Sequence, residues 1–259
     1  MKAIILAAGQ GSRLAPLTLD KPKCLVEFGG KPLLEWQIDA LSKSGINQIE
    51  IVLGYKANRV IEKYASFFSK IHINHDFQTS NMLSSLFIAL KDMNDDVVIS
   101  YSDIIYSQTW IKKLLDTNSN INLAIDLDWL KLWKKRFINP LDDAESLRYN
   151  PNDFSLEEIG SKVKSEDMIM GQYMGLFRFN QKGISEVTQF YNSLKLSQPV
   201  QNMSMTEFFS CMLKNNRPIK ITAGYGKWIE IDSISDLETY TKCANENDEL
   251  LSFTKQDFK

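Results

Sequence analysis

The sequence predicts an α/β fold: a Rossmann-like, mostly parallel sheet with helices on both faces. Three observations carry that prediction. The short apolar stretch at 2–6, charged only at Lys2, reads as a strand buried on both faces, and 49–53 reads as a second strand. Through the first half of the chain they alternate with segments whose apolar residues recur at helical spacing. The length, 259 residues, suits one large α/β domain, so 1–259 is read as a single domain with a small inserted lobe.

The elements follow in order. After the strand at 2–6 come a glycine-bearing loop and a Pro- and Lys-rich stretch over 16–23. Pro32 suits the first turn of a helix that places Leu34, Ile38 and Leu41 on one face, and Gly45 is its stop. A strand at 49–53 precedes a helix marked by Val60, Ile61, Tyr64, Phe67 and Phe68, then a short strand at 71–74. The next helix starts near Ser80, with Leu83, Leu86, Phe87 and Leu90 at helical spacing. A strand at 96–100, a helix at 110–115 and a strand at 121–125 complete this half. Right-handed crossovers would place the carboxyl ends of these strands, and so a ligand, along one rim.

Regularity lapses over 126–165, where Pro140, Pro151 and mixed charge suggest an inserted lobe or hairpin carrying an acceptor site. A strand at 173–179, helices at 182–195 and 204–214, and strands at 219–223 and 227–231 follow. A last helix begins near Ser233, where Ser-x-x-Asp resembles a capping arrangement, and the final ten residues read as a frayed tail.

Composition narrows the function classes. Apolar residues make up 44% and charged residues 24%, and the net charge near -2 gives no basic field for nucleic acid. Cys24, Cys211 and Cys243 lack the paired spacing of a disulfide framework or a zinc cluster. The early apolar run over 3–8 is too short to span a bilayer and resembles no signal peptide, so no membrane association and a cytoplasmic location are expected. His72 and His75 read as polar strand ends, Met203 and Met205 as packing, and the Met-rich run 168–174 as partly core strand.

The most informative stretch is Leu6-Ala7-Ala8-Gly9-Gln10-Gly11-Ser12-Arg13-Leu14. Glycines let the backbone approach a ligand and aim successive N–H groups at an anion, and Arg13 adds a fork suited to phosphate oxygens. A P-loop would need Lys-Ser/Thr, and a dinucleotide fingerprint a third glycine where Leu14 stands. Gly-x-Gly alone is explained as well by a tight turn; the whole string with Arg13 is more specific.

With this string the chain resembles the nucleotidyltransferases that activate sugar phosphates and phosphocholine. The resemblance runs over Leu6 to Leu14, Pro16-Leu17-Thr18, Lys21-Pro22-Lys23 and Gly30-Lys31-Pro32-Leu33. It implies a nucleotide-diphospho-sugar transferase-like fold and a nucleoside triphosphate held by Leu6, Ala7, Ala8, Gly9, Gly11, Ser12, Arg13 and Lys23. In that family the lysine matching Lys23 reaches the triphosphate, and Arg13 would help to neutralise the departing pyrophosphate. The competing explanation is two solvated surface lysines.

Asp103 stands just past the strand at 96–100, where a carboxylate faces the ligand rim. Far downstream, Trp228-Ile229-Glu230-Ile231-Asp232 alternates, placing Glu230 and Asp232 on the same side of a strand. The resemblance implies that Asp103, Glu230 and Asp232 bind magnesium. The alternative is an exposed strand face that happens to carry two acids. Magnesium takes a few carboxylates plus phosphate oxygens, and with Lys and Arg it would offset the charge of an in-line attack.

The branch is suggested by 79–86 (Thr-Ser-Asn-Met-Leu-Ser-Ser-Leu), which resembles phosphocholine and phosphonate cytidylyltransferases, as do Glu158-Ile159-Gly160, Lys162, 171–175 and 228–232. CTP is therefore the expected donor, with Asn81 and Ser84 near the nucleotide or acceptor and Lys162 at the acceptor phosphate. No sugar-type Gly-Thr-Ala/Gly signature occurs over 75–90, and the long C-terminal β-helix of many family members is not expected in these 259 residues.

The acceptor is expected to be a small phosphorylated amine, phosphonate or amino-acid-like molecule. Trp129 and Trp133 stand four apart, so on a helix both rings share a face, with Asp126 or Asp128 near; this could hold an ammonium group. Arg136 and Lys162 would take the phosphate end, and Tyr173 could face the acceptor. Equally, both tryptophans could simply pack the lobe onto the core. The resemblance further implies capsule or lipopolysaccharide biosynthesis; a homodimer stays open. Two rival classes stand beside this reading: a sugar-1-phosphate nucleotidyltransferase using dTTP or UTP, and a non-catalytic regulatory or binding homologue.

Overall fold

A computed structural model describes residues 1–254. The chain runs β1 (Lys2–Ala7), two short strands β2 (Glu27–Phe28) and β3 (Lys31–Pro32), α1 (Leu33–Lys43), β4 (Ile49–Leu53), α2 (Ala57–Tyr64), β5 (Lys70–Ile73) and α3 (Met82–Leu90). It continues through β6 (Val97–Tyr101), β7 (Ile104–Tyr106), α4 (Gln108–Asp116), β8 (Ile121–Asp126), α5 (Trp129–Arg136), β9 (Glu145–Tyr149) and β10 (Leu156–Lys162). The remainder is β11 (Gln172–Phe179), α6 (Gln181–Ser197), α7 (Met205–Lys214), β12 (Lys220–Gly224), β13 (Trp228–Glu230) and α8 (Ile234–Asn245).

A seven-stranded sheet, ordered β12-β8-β11-β6-β1-β4-β5, forms the centre. Only β11 runs against its neighbours, β6 and β8; the other pairings are parallel. Alternate residues of β1 feed opposite faces: Ala3, Ile5 and Ala7 join one core, Ile4 and Leu6 the other. Helices α1, α2, α4, α5 and α8 cover the first face, and α3, α6 and α7 the second. This double cover is why the strands carry apolar residues on both faces. The mixed, mostly parallel α/β architecture is the one the sequence predicts.

Strand order places the site. β4 and β5 lie on one side of β1 and β6 on the other, so the order reverses between β1 and β6. Loops leaving those two carboxyl ends diverge and open a crevice, the usual ligand position in such sheets. The loop after β1 is the glycine string, and the turn after β6 carries Asp103.

Several elements differ from expectation. The helix read through Phe68 ends at Tyr64 and gives way to a 3-10 turn over Ala65–Phe67. β13 does not join the main sheet but pairs antiparallel with β7, a three-residue strand too short to show periodicity. The stretch 126–165, expected as a lobe or hairpin without regular pattern, adds a helix, α5, to the two-stranded β9–β10 hairpin, which stands outside the main sheet. Within the expected frayed tail, Glu249–Thr254 forms a 3-10 helix that buries Leu251 and Thr254, while 255–259 lie outside the described residues. His72 sits within β5 rather than at its end, buried, with Nε2 2.6 Å from Glu50 Oε2.

Candidate active site

The glycine string turns sharply at Gly11, whose φ of 72° lies in the left-handed region. A Cβ there would stand 2.7 Å from Lys23 Cβ, so this glycine makes room for the lysine stem. Thr18 Oγ1 donates to Gly11 O at 3.0 Å, and fully buried Leu14 anchors the loop beneath, at the position where a dinucleotide fold would keep a third glycine.

Pro22 holds an extended backbone just before a 3-10 turn over Lys23–Leu25, and this sends the Lys23 side chain inward. Lys23 is buried, and its Nζ donates to Asp103 Oδ2 at 2.7 Å and to Asp232 Oδ1 at 2.5 Å. Burial alone would lower its pKa, but the two carboxylates override that and raise it, so the side chain is a full ammonium. Arg13, largely exposed, ion-pairs with the other oxygen of Asp232. Surface lysines solvated by water do not fit this arrangement.

Pairing of β13 with β7 brings the distant acids together. Ile231 N donates to Asp103 O at 2.9 Å, clamping the end of β13 onto the turn after β6. Asp232 N donates to Asp236 Oδ2, and Ser233 and Asp236 form a reciprocal capping box at the start of α8. Asp232 therefore sits on a doubly anchored corner, facing Lys23.

The expected magnesium trio does not assemble as three. Glu230 Oε2 accepts from Arg136 Nη1 at 2.6 Å, so this carboxylate is turned to the arginine. Desolvation, opposed by Arg136, pushes the Glu230 carboxyl up to about 7. Among the described residues no group of three His, Cys, Asp or Glu gathers as metal ligands. Asp103 and Asp232 remain, and Asp103 Oδ1 is buried with no hydrogen-bond partner.

Two cavities adjoin this cluster. The first, about 330 Å³, is walled by Leu6, Ala8, Gly9, Gly11, Ser12 and Arg13 together with Lys23, Asp103 and Asp232. Of the nucleotide-loop residues read from the sequence, only Ala7 is absent from this wall; as the last residue of β1 it is packed into the core. Asn81 caps α3 through Met82 N and lines both cavities. Ser84 does not line either cavity, because one position along the helix turns it away; its neighbour Ser85 is on the wall, held by Asn74 Nδ2 at 2.9 Å. Asn74, Phe77 and Ser80 also line it and were missed. Asn74, a polar residue directly after β5, was the available signal.

The second cavity, about 260 Å³, meets the first along Asn81 and Met82, and its wall includes Trp133, Tyr173, Trp228 and Glu230. Trp129 does not reach it: buried, it packs edge-on against Trp133 at 6.2 Å. Neither suggested acid serves as ammonium partner there. Asp126 is buried and braces Trp228 Nε1 at 2.8 Å and Gly226 N at 2.7 Å, and Asp128 pairs with Lys131. Arg136, expected at the phosphate end, lines neither cavity. Its side chain is 2% exposed and committed to Glu230 and, through two nitrogens, to Asp236. Lys162 is exposed and stands opposite Glu145 in the β9–β10 register, at the edge of this wall.

Residues 3–126 match the MobA-like NTP transferase domain. Over 251 residues the chain is 40% identical to the CTP:phosphoglutamine cytidylyltransferase of Campylobacter jejuni, covering 92% of this chain and 98% of that protein. Among solved structures, it matches a CTP:phosphocholine cytidylyltransferase from Streptococcus pneumoniae with a TM-score of 0.72 at 21% identity, covering 94% of this chain and 98% of that one. The inositol-1-phosphate CTP transferase from T. maritima matches with a TM-score of 0.70, also at 21% identity, over 93% of this chain and 95% of that one.

Proposed function

The chain belongs to the family of nucleotidyltransferases built on the MobA-like NTP transferase domain, and we propose that it transfers CMP from CTP to a small phosphorylated acceptor with release of pyrophosphate. One observation carries this reading: the Lys23–Asp103–Asp232–Arg13 cluster stands beside two cavities that meet at Asn81 and Met82. One cavity suits a nucleotide, the other a small acceptor.

In this reading an oxygen of the acceptor's ionised phosphate attacks the α-phosphorus of CTP. The new P–O bond forms as the bond to the bridging oxygen breaks, and that oxygen leaves with the electron pair as pyrophosphate. No general base is required, since the nucleophile is already an anion. The task is charge compensation and alignment. The N–H groups of the loop cradle phosphates, exposed Arg13 reaches the leaving pyrophosphate, and Lys23 offsets charge near the attacked phosphorus. Phe77 offers the base a ring, and Asn74, Ser80 and Ser85 offer it polar groups.

Magnesium belongs to the proposal through Asp103 and Asp232. Two carboxylates beside a phosphate pocket, one with a buried unpartnered oxygen, suit an ion that takes one or two carboxylates and fills its other positions with phosphate oxygens and water. Bound there, it would polarise the phosphate oxygens and offset their developing charge. The acceptor is read as a phosphoamine, phosphonate or phospho-amino acid, supported by the relative that acts on phosphoglutamine. Surface-polysaccharide modification, of capsule or lipopolysaccharide, is the proposed setting.

The test is pyrophosphate release with CTP, UTP, dTTP and GTP against phosphocholine, phosphoethanolamine, aminoethylphosphonate, phosphoglutamine and glucose 1-phosphate. CTP with a nitrogen-bearing acceptor is the expected best pair, abolished by chelator and restored by magnesium. Preference for the hexose phosphate with dTTP or UTP would replace this reading by a sugar nucleotidyltransferase.

A further inference from the structure

The wall of the second cavity is chemically lopsided. Among the described residues no Lys, Arg or His lines it, while Asp143, Glu145 and Glu230 do. Glu230 is answered by Arg136. Glu145, the first residue of β9 and half-buried, has no ion-pair partner among the described residues, and Asp143 stands at the mouth two residues before it. Burial raises the pKa of both, opposed at Asp143 by the charges of Arg136 and Arg13 and at Glu145 by a hydrogen bond from Thr206, while the Asp143 charge raises that of Glu145 further.

A further group on this wall wants a partner: Gln172 Oε1 is buried without one. The buried Tyr173 hydroxyl beside it has that of Tyr101 as its neighbour. Ring surface from Trp133, Trp228 and Tyr101 covers part of the remaining wall, beside methionines and the neutral polar Asn81, Ser204 and Thr206. Buried acceptors left unmade cost about 1–3 kcal/mol each, and more if charged. A quaternary ammonium satisfies the rings and the charge but has no N–H to give; a primary ammonium has three.

We propose that Glu145, Asp143 and Gln172 form the acceptor's amine subsite and read its N–H bonds. Acceptors with a primary ammonium are thereby selected over trimethylammonium ones. The phosphate end then points across the Asn81–Met82 seam toward Lys23, away from the acids. This assignment rests on the cytidylyltransferase reading and specifies its acceptor.

The experiment measures transfer of label from α-labelled CTP to phosphoethanolamine and its mono-, di- and trimethylated forms, and to phosphoglutamine and its Nα-acetyl derivative. Calorimetric titration of the same compounds measures binding. Loss of the N–H donors, by methylation or acetylation, should lower kcat/KM about tenfold or more, the scale of one charge-assisted hydrogen bond. Glu145→Gln and Asp143→Asn should raise acceptor KM about tenfold and flatten the methylation series, with the KM for CTP held within about twofold and unchanged unfolding curves. Phosphocholine used as well as phosphoethanolamine, with acetylation harmless, would overturn the proposal, as would variants that keep the full series. Ammonium-dependent binding without transfer to any compound would remove the cytidylyltransferase reading and leave the subsite standing.

Discussion

Lys23 holds two carboxylates that lie 80 and 209 residues further along the chain, and its ammonium is the charge on which the whole cluster is balanced. Asp103→Ala and Asp232→Ala should each lower turnover about 100-fold or more with the fold intact, since each removes charge aimed at the reacting phosphates. Turnover against magnesium, with circular dichroism, checks this; near-normal activity would take that residue out of the site. Lys23→Ala should damage turnover far more than Lys21→Ala, and Arg13→Lys should be harmful because an ammonium cannot reproduce the guanidinium fork. Equal, mild effects of all three would take Lys23 and Arg13 out of the chemistry. Arg136→Met belongs to stability. It would leave Glu230 and Asp236 buried without their partner, at a cost of about 3–5 kcal/mol read by urea unfolding. At this scale the sequence made Arg13, Lys23, Asp103 and Asp232 legible through local strings. It misled at Arg136 because the acids that consume it lie 94 and 100 residues further along, a meeting no local pattern reveals.

Elements decide where those side chains stand. The turn at Gly11 was legible because glycine spacing is itself the local geometry, and the Ser233–Asp236 capping box was legible for the same reason. Gly11→Ala should fail twice: the residue would be strained at positive φ, and its methyl group would press on the Lys23 stem. Turnover should fall about tenfold or more, with about 1 kcal/mol lost in thermal unfolding. Wild-type turnover in this variant would show that Lys23 does not depend on that seat. The β7–β13 pairing was not legible, since two three-residue strands carry no periodicity and meet only through tertiary packing. Yet this pairing is what clamps Asp232 beside Asp103.

For the molecule as a whole, the reversal of strand order between β1 and β6 explains why one rim gathers the loop, the lysine and both aspartates. The parallel sheet was predictable from alternating strand and helix signals. The antiparallel insertion of β11 was not, because a strand buried on both faces reads the same in either direction. Nor was the second cavity, assembled from α3, α5, β9, β11, α7 and β13. The most direct measurement of the central claim is phosphorus NMR of the purified protein with magnesium, CTP and phosphoglutamine or phosphoethanolamine. A cytidine-linked diphosphate ester and pyrophosphate should appear in equal amounts, and neither should form with Asp232→Ala. Hydrolysis of CTP without a linked product, or a linked product only with glucose 1-phosphate and dTTP or UTP, would contradict that claim.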